Sequence, residues 1–472
     1  MAEIPLGGGS VKESIPGDKA PETERFEADI ARIPSSNLAL PFLPAPETAR
    51  PSGEPAQLQK QLGRKSVALL VLATFGGSMA MIVPMSFTLA LRLDQIAPGR
   101  EEFLGYMLGA GSTFSLLAAP LTGVLSDRTR SRWGRRRPYT VAGATVGLAA
   151  IPLMAYAPNV LLLGVGWVLS TVGWHTAMGS INNYQADNLP KFQRGRVAGL
   201  TSLARQIAPV AGIILVGQVV ADPLWVFLLP AMVGVLLVLG FVVFAPEGHS
   251  PRRLEPAVPL SFKNVLQSFM FNPRQHPAFA WTWGGRFMFF LGLSLTTSYS
   301  TFFYAQRLDL SVADVSTVIA AISAGSIITS TVGAIGGGWL SDRAASRQPF
   351  ILVATVIYAA GALVSAFSHS LVSLVTGSLI TSLGIAVFVA VGQALVLDVL
   401  PHRETQAGRF TAITSSSQKI PSALAPALAP LLLSIAAFDN SRNYTVLYVA
   451  AGMLAVLGGL ITLLGSRATH RA

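Results

Sequence analysis

The chain has no cysteine among its 472 residues, and only 12% of them are charged. Without cysteine there are no disulfides and no thiolate metal sites, and the six histidines show no ligand spacing, so a redox or zinc enzyme is not expected. Soluble domains carry about 25% charge. Scarcity of charge, with 51% hydrophobic residues and a mean hydropathy of +0.54, gives more apolar surface than one soluble core hides. Each crossing of a bilayer takes roughly 20 mostly apolar residues, and such stretches recur from about residue 67 onward. The first sixty or so residues lack any apolar run and are rich in Pro, Gly, Ala and Glu, a composition that reads as a disordered tail. A cleavable signal peptide takes a basic start and an apolar run of about 7 to 15 residues, and residues 1–10 offer neither.

Spans are expected near 67–91, 103–125, 138–157, 160–184, 197–220 and 224–245, and again near 279–304, 312–338, 349–367, 371–395, 410–435 and 444–465. The organisation expected is an N-terminal tail over 1–62, a six-helix bundle over 63–245, a polar linker over 246–278, a second six-helix bundle over 279–466 and a short tail over 467–472. The class is an all-α membrane protein of twelve transmembrane helices. Basic residues near span ends collect on the cytoplasmic side. Arg64, Lys65, Arg128 to Arg137, Lys191 to Arg196, the linker, Arg343, Arg347, Arg403 and Arg409 fall on one side, against Arg92, Arg100, Arg307 and Arg442 on the other. Both termini are therefore expected in the cytoplasm, the protein in the inner membrane, and the net charge of +11 is a matter of topology rather than of a nucleic-acid partner.

An internal repeat marks the two halves. Leu-Ser-Asp-Arg-x-x-Ser-Arg begins at Leu125, after the second span, and again at Leu340, after the eighth. Asp187 is followed by Leu189, Pro190, Gly195 and Arg196, and Asp398 by Leu400, Pro401, Gly408 and Arg409. Two motifs in the same order at equivalent positions suit a duplicated carrier, in which one bundle rocks against the other around a midplane site.

The segment from Gly123 to Arg137 resembles the loop signature of the major facilitator superfamily, and the layout of spans is similar over nearly all of residues 65–465. Within it, the run from Ser126 to Tyr139 resembles plant sucrose-proton symporters and their animal relatives, and more loosely the glycoside-pentoside-hexuronide cation symporters. The resemblance implies a secondary transporter working by alternating access, not an enzyme, with no cofactor or metal. Its partners would be a small solute, most naturally a sugar, a co-transported proton and the lipid bilayer, and it would act as a monomer. The resemblance also implies that Asp127, Arg128 and Arg132, with Asp187 as partner, form a latch that holds the outward-facing state. By the repeat, Asp342, Arg343 and Arg347 would do the same with Asp398. The plainer alternative is a set of topology-setting charges, and for Arg135 to Arg137 that reading is the expectation.

The resemblance implies a transport site near the midplane on the first and fourth helices of each half. In the fourth span Thr171, His175, Met178 and Asn182 share a face at helical spacing, beside Trp174. An intramembrane His is a functional candidate unless a neighbour satisfies a neutral ring. Arg205, Arg286 and Lys419 are intramembrane cations, and the pairs Arg205–Gln206 and Gln418–Lys419 fall at the same depth in the two halves. These face a cavity or pair with Asp187 and Asp398. Gln393 is a further polar candidate. Trp281, Trp283, Tyr299 and Tyr304 offer faces for a sugar ring or serve as packing and interfacial anchors. No Asp or Glu lies in mid-span, so coupling falls to His175 or to a carboxylate at a helix end. The resemblance, with the polar and aromatic candidates and His175, implies proton-coupled import of a glycoside. Export of drugs and transport of organic anions or sugar acids are the alternatives on the same fold, and a sensor on a transporter scaffold is a third.

Overall fold

A computed structural model describes residues 62–129, 131, 133–245, 271–344, 346–401, 407–434 and 442–469, with side chains for all but 124, 127, 128, 191, 192, 407–409, 411, 412 and 466–469. The expected tail over 1–62, apart from Leu62, and most of the expected linker fall outside the described residues. Twelve long helices, and no strands, account for the described chain: α1 Arg64–Ile96, α2 Glu102–Arg128, α3 Arg137–Ala155, α4 Val160–Asn188, α5 Lys191–Gly217, α6 Pro223–Phe244, α7 Pro277–Ser298, α8 Val315–Arg343, α9 Gln348–Ala366, α10 Leu371–Asp398, α11 Ala407–Leu433 and α12 Tyr444–Thr469. A segment Ser300–Leu308 continues α7 beyond a break at Tyr299. Ten of these helices are long and apolar enough to cross a membrane; α7 and α11 fall short. The reason is local. Between them α7 and α11 hold Arg286, Gln418, Lys419 and a run of serines, polar groups that a lipid face rejects.

Helix starts follow from side chains that satisfy the first free N–H groups. Asn159 Oδ1 accepts from Leu162 N at the start of α4, Asp222 Oδ1 accepts from Leu224 N at α6, and Ser370 and Ser373 form a reciprocal cap at α10. Proline shapes two helices. Pro84 opens a π turn over Pro84–Thr88 inside α1. In α11, Pro430 has no N–H to give the carbonyl of Pro426, and the Tyr299 hydroxyl donates to that oxygen at 3.4 Å instead.

The helices fall into two sets by packing. Within the first six, α1 packs on α6, α5 and α4, α3 on α4 and α6, and α2 on α4. Within the last six, α7 packs on α12 and α11, α9 on α10 and α12, and α8 on α10. The sets meet along two seams, α2 with α11 and α5 with α8. Glycine permits close approach at matching places. A Cβ on Gly173 of α4 would stand 2.5 Å from the Gly147 nitrogen of α3, and one on Gly384 of α10 would stand 2.5 Å from the Tyr358 nitrogen of α9.

The seams close at one end and part at the other. At the end opposite the repeated motifs, Gly105 of α2 lies against the Pro426 carbonyl of α11, Gly109 against the Ala423 carbonyl, and Gly217 of α5 against Ser316 of α8. Thr301 Oγ1 donates across the halves to the Ser86 carbonyl in the π turn at 2.5 Å. Toward the motif end, Gly123 lies five turns along α2 from Gly105 on the same face, and Gly195 and Gly199 share the face of α5 that carries Gln206. No described atom beyond their own stretch of helix lies within 4 Å of where a Cβ on any of these three would stand. Among the described residues, α2 and α5 meet no neighbour from the other half at these three positions of the motif end.

Candidate functional site

The motif end is a set of ion pairs within each half. Asp187, at the end of α4, accepts from Arg135 Nη2 at 2.8 Å and Arg136 Nε at 3.1 Å. Arg136 is buried and also donates through Nη1 to Ser126 Oγ at 3.0 Å, while Ser126 Oγ donates to the Arg135 carbonyl. Arg137 donates to the Ala245 carbonyl at the end of α6. These bonds give Arg135 to Arg137 structural partners, where the sequence suggests only topology-setting charge. In the second half Arg347 bridges Asp342, at 3.0 Å, and Asp398, at 2.9 Å, and Arg343 stacks its guanidinium 3.6 Å from the Trp339 ring centre. The side chains of Asp127 and Arg128, and all of Arg132, lie outside the described residues.

Between the halves, above these pairs, α4, α5, α8 and α11 present a polar wall. His175 and Asn182 of α4 are exposed, two turns apart on one face. Thr171 and Met178, expected on that face, are buried against Gly111 and Gly77. His175 Nδ1 bonds to the Thr171 carbonyl of its own helix at 2.9 Å, so a neutral ring donating there keeps its lone pair on Nε2. Lys419 of α11, in the other half, is exposed. Arg205 of α5 donates through Nη2 to Asn182 Oδ1 at 2.7 Å. Gln206 accepts across the α5–α8 seam from Ser330 Oγ at 2.7 Å. Gln393 and Gln418 are exposed. Counting from the paired Asp187 and Asp398, Gln393 stands where Asn182 does, and counting from Arg196 and Arg409, Gln418 stands where Arg205 does. The polar set is therefore duplicated as well, an amide on the fourth helix and a long donor on the fifth of each half. Ser330, whose hydroxyl ties the seam, carries no sequence signal that separates it from the other serines and threonines of α8.

Several expected site residues stand elsewhere. Trp174 is buried in the first half, wedged against Gly147 of α3 and Gly234 of α6, and does not reach the cavity. Tyr299 is fully buried, its hydroxyl on the Pro426 carbonyl and beside Gly105, so it packs the closed seam and offers no face to a sugar. Tyr304 is buried with its hydroxyl 3.3 Å from Ser378 Oγ. Trp283 donates to the Ile413 carbonyl of α11 at 2.9 Å, and Trp281 lies against Gly465 of α12. Arg286 is buried within the second half, 5.4 Å from the Phe290 ring and against Gly392, and its Nε and Nη1 have no hydrogen-bond partner among the described residues. The cavity wall is therefore amide, hydroxyl, imidazole and cation rather than aromatic. A groove of about 760 Å³ lies on the flank between α2 and α4. Its lining, from Phe103 and Tyr106 to Leu161 and Val165, is apolar apart from Asn159, a surface for hydrocarbon rather than for a polar solute.

The chain is 34% identical over 98 residues to the general alpha-glucoside permease of Schizosaccharomyces pombe, a stretch that covers 21% of this chain and 16% of the permease. It is 34% identical over 102 residues to solute carrier family 45 member 3 of Homo sapiens, covering 21% of this chain and 18% of that protein. Both matches thus span less than a fifth of the relative. In fold it is similar to the crystal structure of the nucleoside transporter NupG, with a TM-score of 0.68 over 85% of this chain and 98% of that one at 11% identity. It is similar also to the bacterial homologue of the human lysosomal transporter Spinster in an inward-facing and unoccupied conformation, with a TM-score of 0.64 over 85% and 96% at 15% identity. The model of the Major Facilitator Superfamily matches residues 66–337 and 316–471, nearly all of the helical chain, and this multi-pass membrane protein belongs to that superfamily of transporters.

Proposed function

We propose that this transporter imports a glycoside together with a proton across the inner, cytoplasmic membrane. The motif end is read as the cytoplasmic side, because the basic loops lie there. On that reading the conformer described is inward-open, both termini are cytoplasmic, and one copy of the chain is the working unit, with the six-helix bundles of residues 63–245 and 279–466 as its moving parts. The observation that carries the reading is the wall formed by His175, Asn182, Arg205, Gln206 and Lys419: hydroxyl-matching donors and acceptors around an imidazole, a group able to take up and release a proton. The sugar class is supported by the stretch shared with the alpha-glucoside permease. Apolar cationic drugs are disfavoured by the cations in the same wall.

Asp187, Asp342, Arg347 and Asp398, with Arg135 and Arg136, are proposed to brace each half at the cytoplasmic end. Asp127, Arg128, Arg132 and Arg343 are proposed to take partners across the seam when that end closes. Purified protein in liposomes, given labelled maltose or sucrose, should accumulate it under an inside-alkaline gradient. His175→Gln should keep sugar exchange across the membrane while losing that accumulation. Sugar uptake without proton movement in the parent protein rejects symport, and sugar-driven proton uptake in the variant removes His175 from the proton path.

A further inference from the structure

The wall between the halves makes no use of Arg286. It stands nine residues into α7 and is 7% exposed, with Nε and Nη1 donating to nothing among the described residues. A guanidinium keeps its proton inside proteins, so neutralisation does not relieve its burial. A buried charge without a partner is strongly destabilising, and the remedy is an opposite charge beside it. The described chain does not supply one. Every Asp and Glu within the twelve helices stands close to a helix end: Asp94, Glu102, Asp127, Asp187, Asp342 and Asp398. Asp398 belongs to α10, the helix that Arg286 touches at Gly392, but it lies about 9 Å further along that helix and is held by Arg347 at 2.9 Å.

The space beside the guanidinium has its own chemistry. A Cβ on Gly392 would have Arg286 Nη1 at 3.1 Å, Ile351 Cδ1 of α9 at 3.6 Å and Phe388 Cε1 at 3.9 Å. One on Gly384, about two turns earlier in α10, would meet the Tyr358 nitrogen at 2.5 Å. Nη1 therefore faces a gap about the size of a methyl group, walled by a methyl and by the edge of a phenyl ring, the side of the ring that carries partial positive charge. A buried water needs two to four polar partners, roughly, and none of these walls accepts a hydrogen bond. A small anion is content with a donor and positive edges. The gap lies at the joint of α7 with α10, where Phe289 stacks on Phe388 at 3.6 Å between ring centres and Phe290 meets it edge-on. In the first half the joint of first and fourth helices is apolar, Met178 of α4 against Gly77 of α1, so packing alone does not call for a cation there.

We propose that Arg286 and Gly392 form a site for a small monovalent anion of chloride size, and that the ion pins α7 to α10 so that the second half moves as one body. The ion is a structural ligand rather than cargo, and the site stands whatever solute the cavity between the halves takes.

At fixed pH and ionic strength, replacing sodium chloride by sodium gluconate, whose anion is too large for the gap, should lower the thermal midpoint of the purified protein by about 5 °C or more, and chloride added back should restore it along a saturating curve. Arg286→Met removes the charge and keeps an unbranched side chain, so its midpoint should be equal in the two salts and above that of the parent in gluconate. Gly392→Ala puts a methyl group in the gap and Arg286→Lys replaces the fork by a point charge; each should raise the half-saturating chloride concentration about tenfold. Bromide soaked into crystals should give an anomalous peak beside Arg286 Nη1. A parent midpoint indifferent to chloride overturns the site, as does a chloride response that survives in Arg286→Met. Should Arg286→Met not be recovered folded, the other two variants decide, and an unchanged half-saturation in both overturns the site.

Discussion

Arg136 is a buried guanidinium with two described acceptors, Asp187 and Ser126, from two different helices. Hydrogen bonds to a charged group contribute about 1.5–3 kcal/mol each, and removing one partner strands the other. Arg136→Gln should therefore lower the thermal midpoint of the detergent-purified protein. Asp187→Asn should do so too, and the double variant should lose less than the sum of the two, because both break one network. Additive losses would show that the ion pair contributes little. Charge and register at this end are legible in the sequence, since Asp187 and Asp398 sit at the ends of apolar runs and the motifs repeat. The partner of Asp187 is not. Arg128, Arg130, Arg132, Arg135, Arg136 and Arg137 all satisfy the same charge rule, and spacing alone does not say which of them the loop turns inward.

At the scale of helices, the spans are legible because about 20 apolar residues are the bilayer's own length requirement. Which way each side chain points is less so. A helix that is apolar all round carries no stripe to orient it, and so the sequence reading puts Trp174, one position from the exposed His175, at the cavity, although it is the anchor that α3 and α6 close upon. Tyr299 is misplaced for a second reason: its partner is a carbonyl freed by Pro430, and nothing in the local sequence of α7 announces a gap in α11. The close glycine crossings make a contrast that can be measured. Gly173→Val should abolish the folded, monodisperse fraction on size-exclusion chromatography, because its side chain meets the α3 backbone, whereas Gly179→Ala, with open space around it on the same helix, should elute as the parent does. Equal yields from the two would mean that α3 and α4 do not need their close approach.

For the whole molecule, closing the end opposite the motifs confines Glu101 near Tyr444, Arg442, Asp94 and Glu102, with Tyr299 close by. Burial pushes its carboxyl above the usual range, the stronger influence, although the Tyr444 hydroxyl and Arg442 pull it down; Asp94 and Glu102 raise it. Arg442 is already engaged with Glu102 at 2.5 Å. A carboxyl whose pKa is higher in the closed arrangement than in the parted one takes up a proton on closure, so acid favours closure there and the preference fades as pH rises through the raised pKa. Spin labels on Gln95→Cys and Leu310→Cys, simple to place in a chain without cysteine, should report a shift to the closed distance on acidification, and Glu101→Gln should remove that response. The opposite end of the same lever has its own consequence. Gly123, Gly195 and Gly199 stand in clear space on faces that carry contacts further along, and glycine inside a helix gives up about 1 kcal/mol relative to alanine. That sacrifice is clearance for travel. Filling it with Gly199→Ala should raise the thermal midpoint of the resting protein and slow its turnover together, so that in this carrier a stability screen would select for the variants that stall.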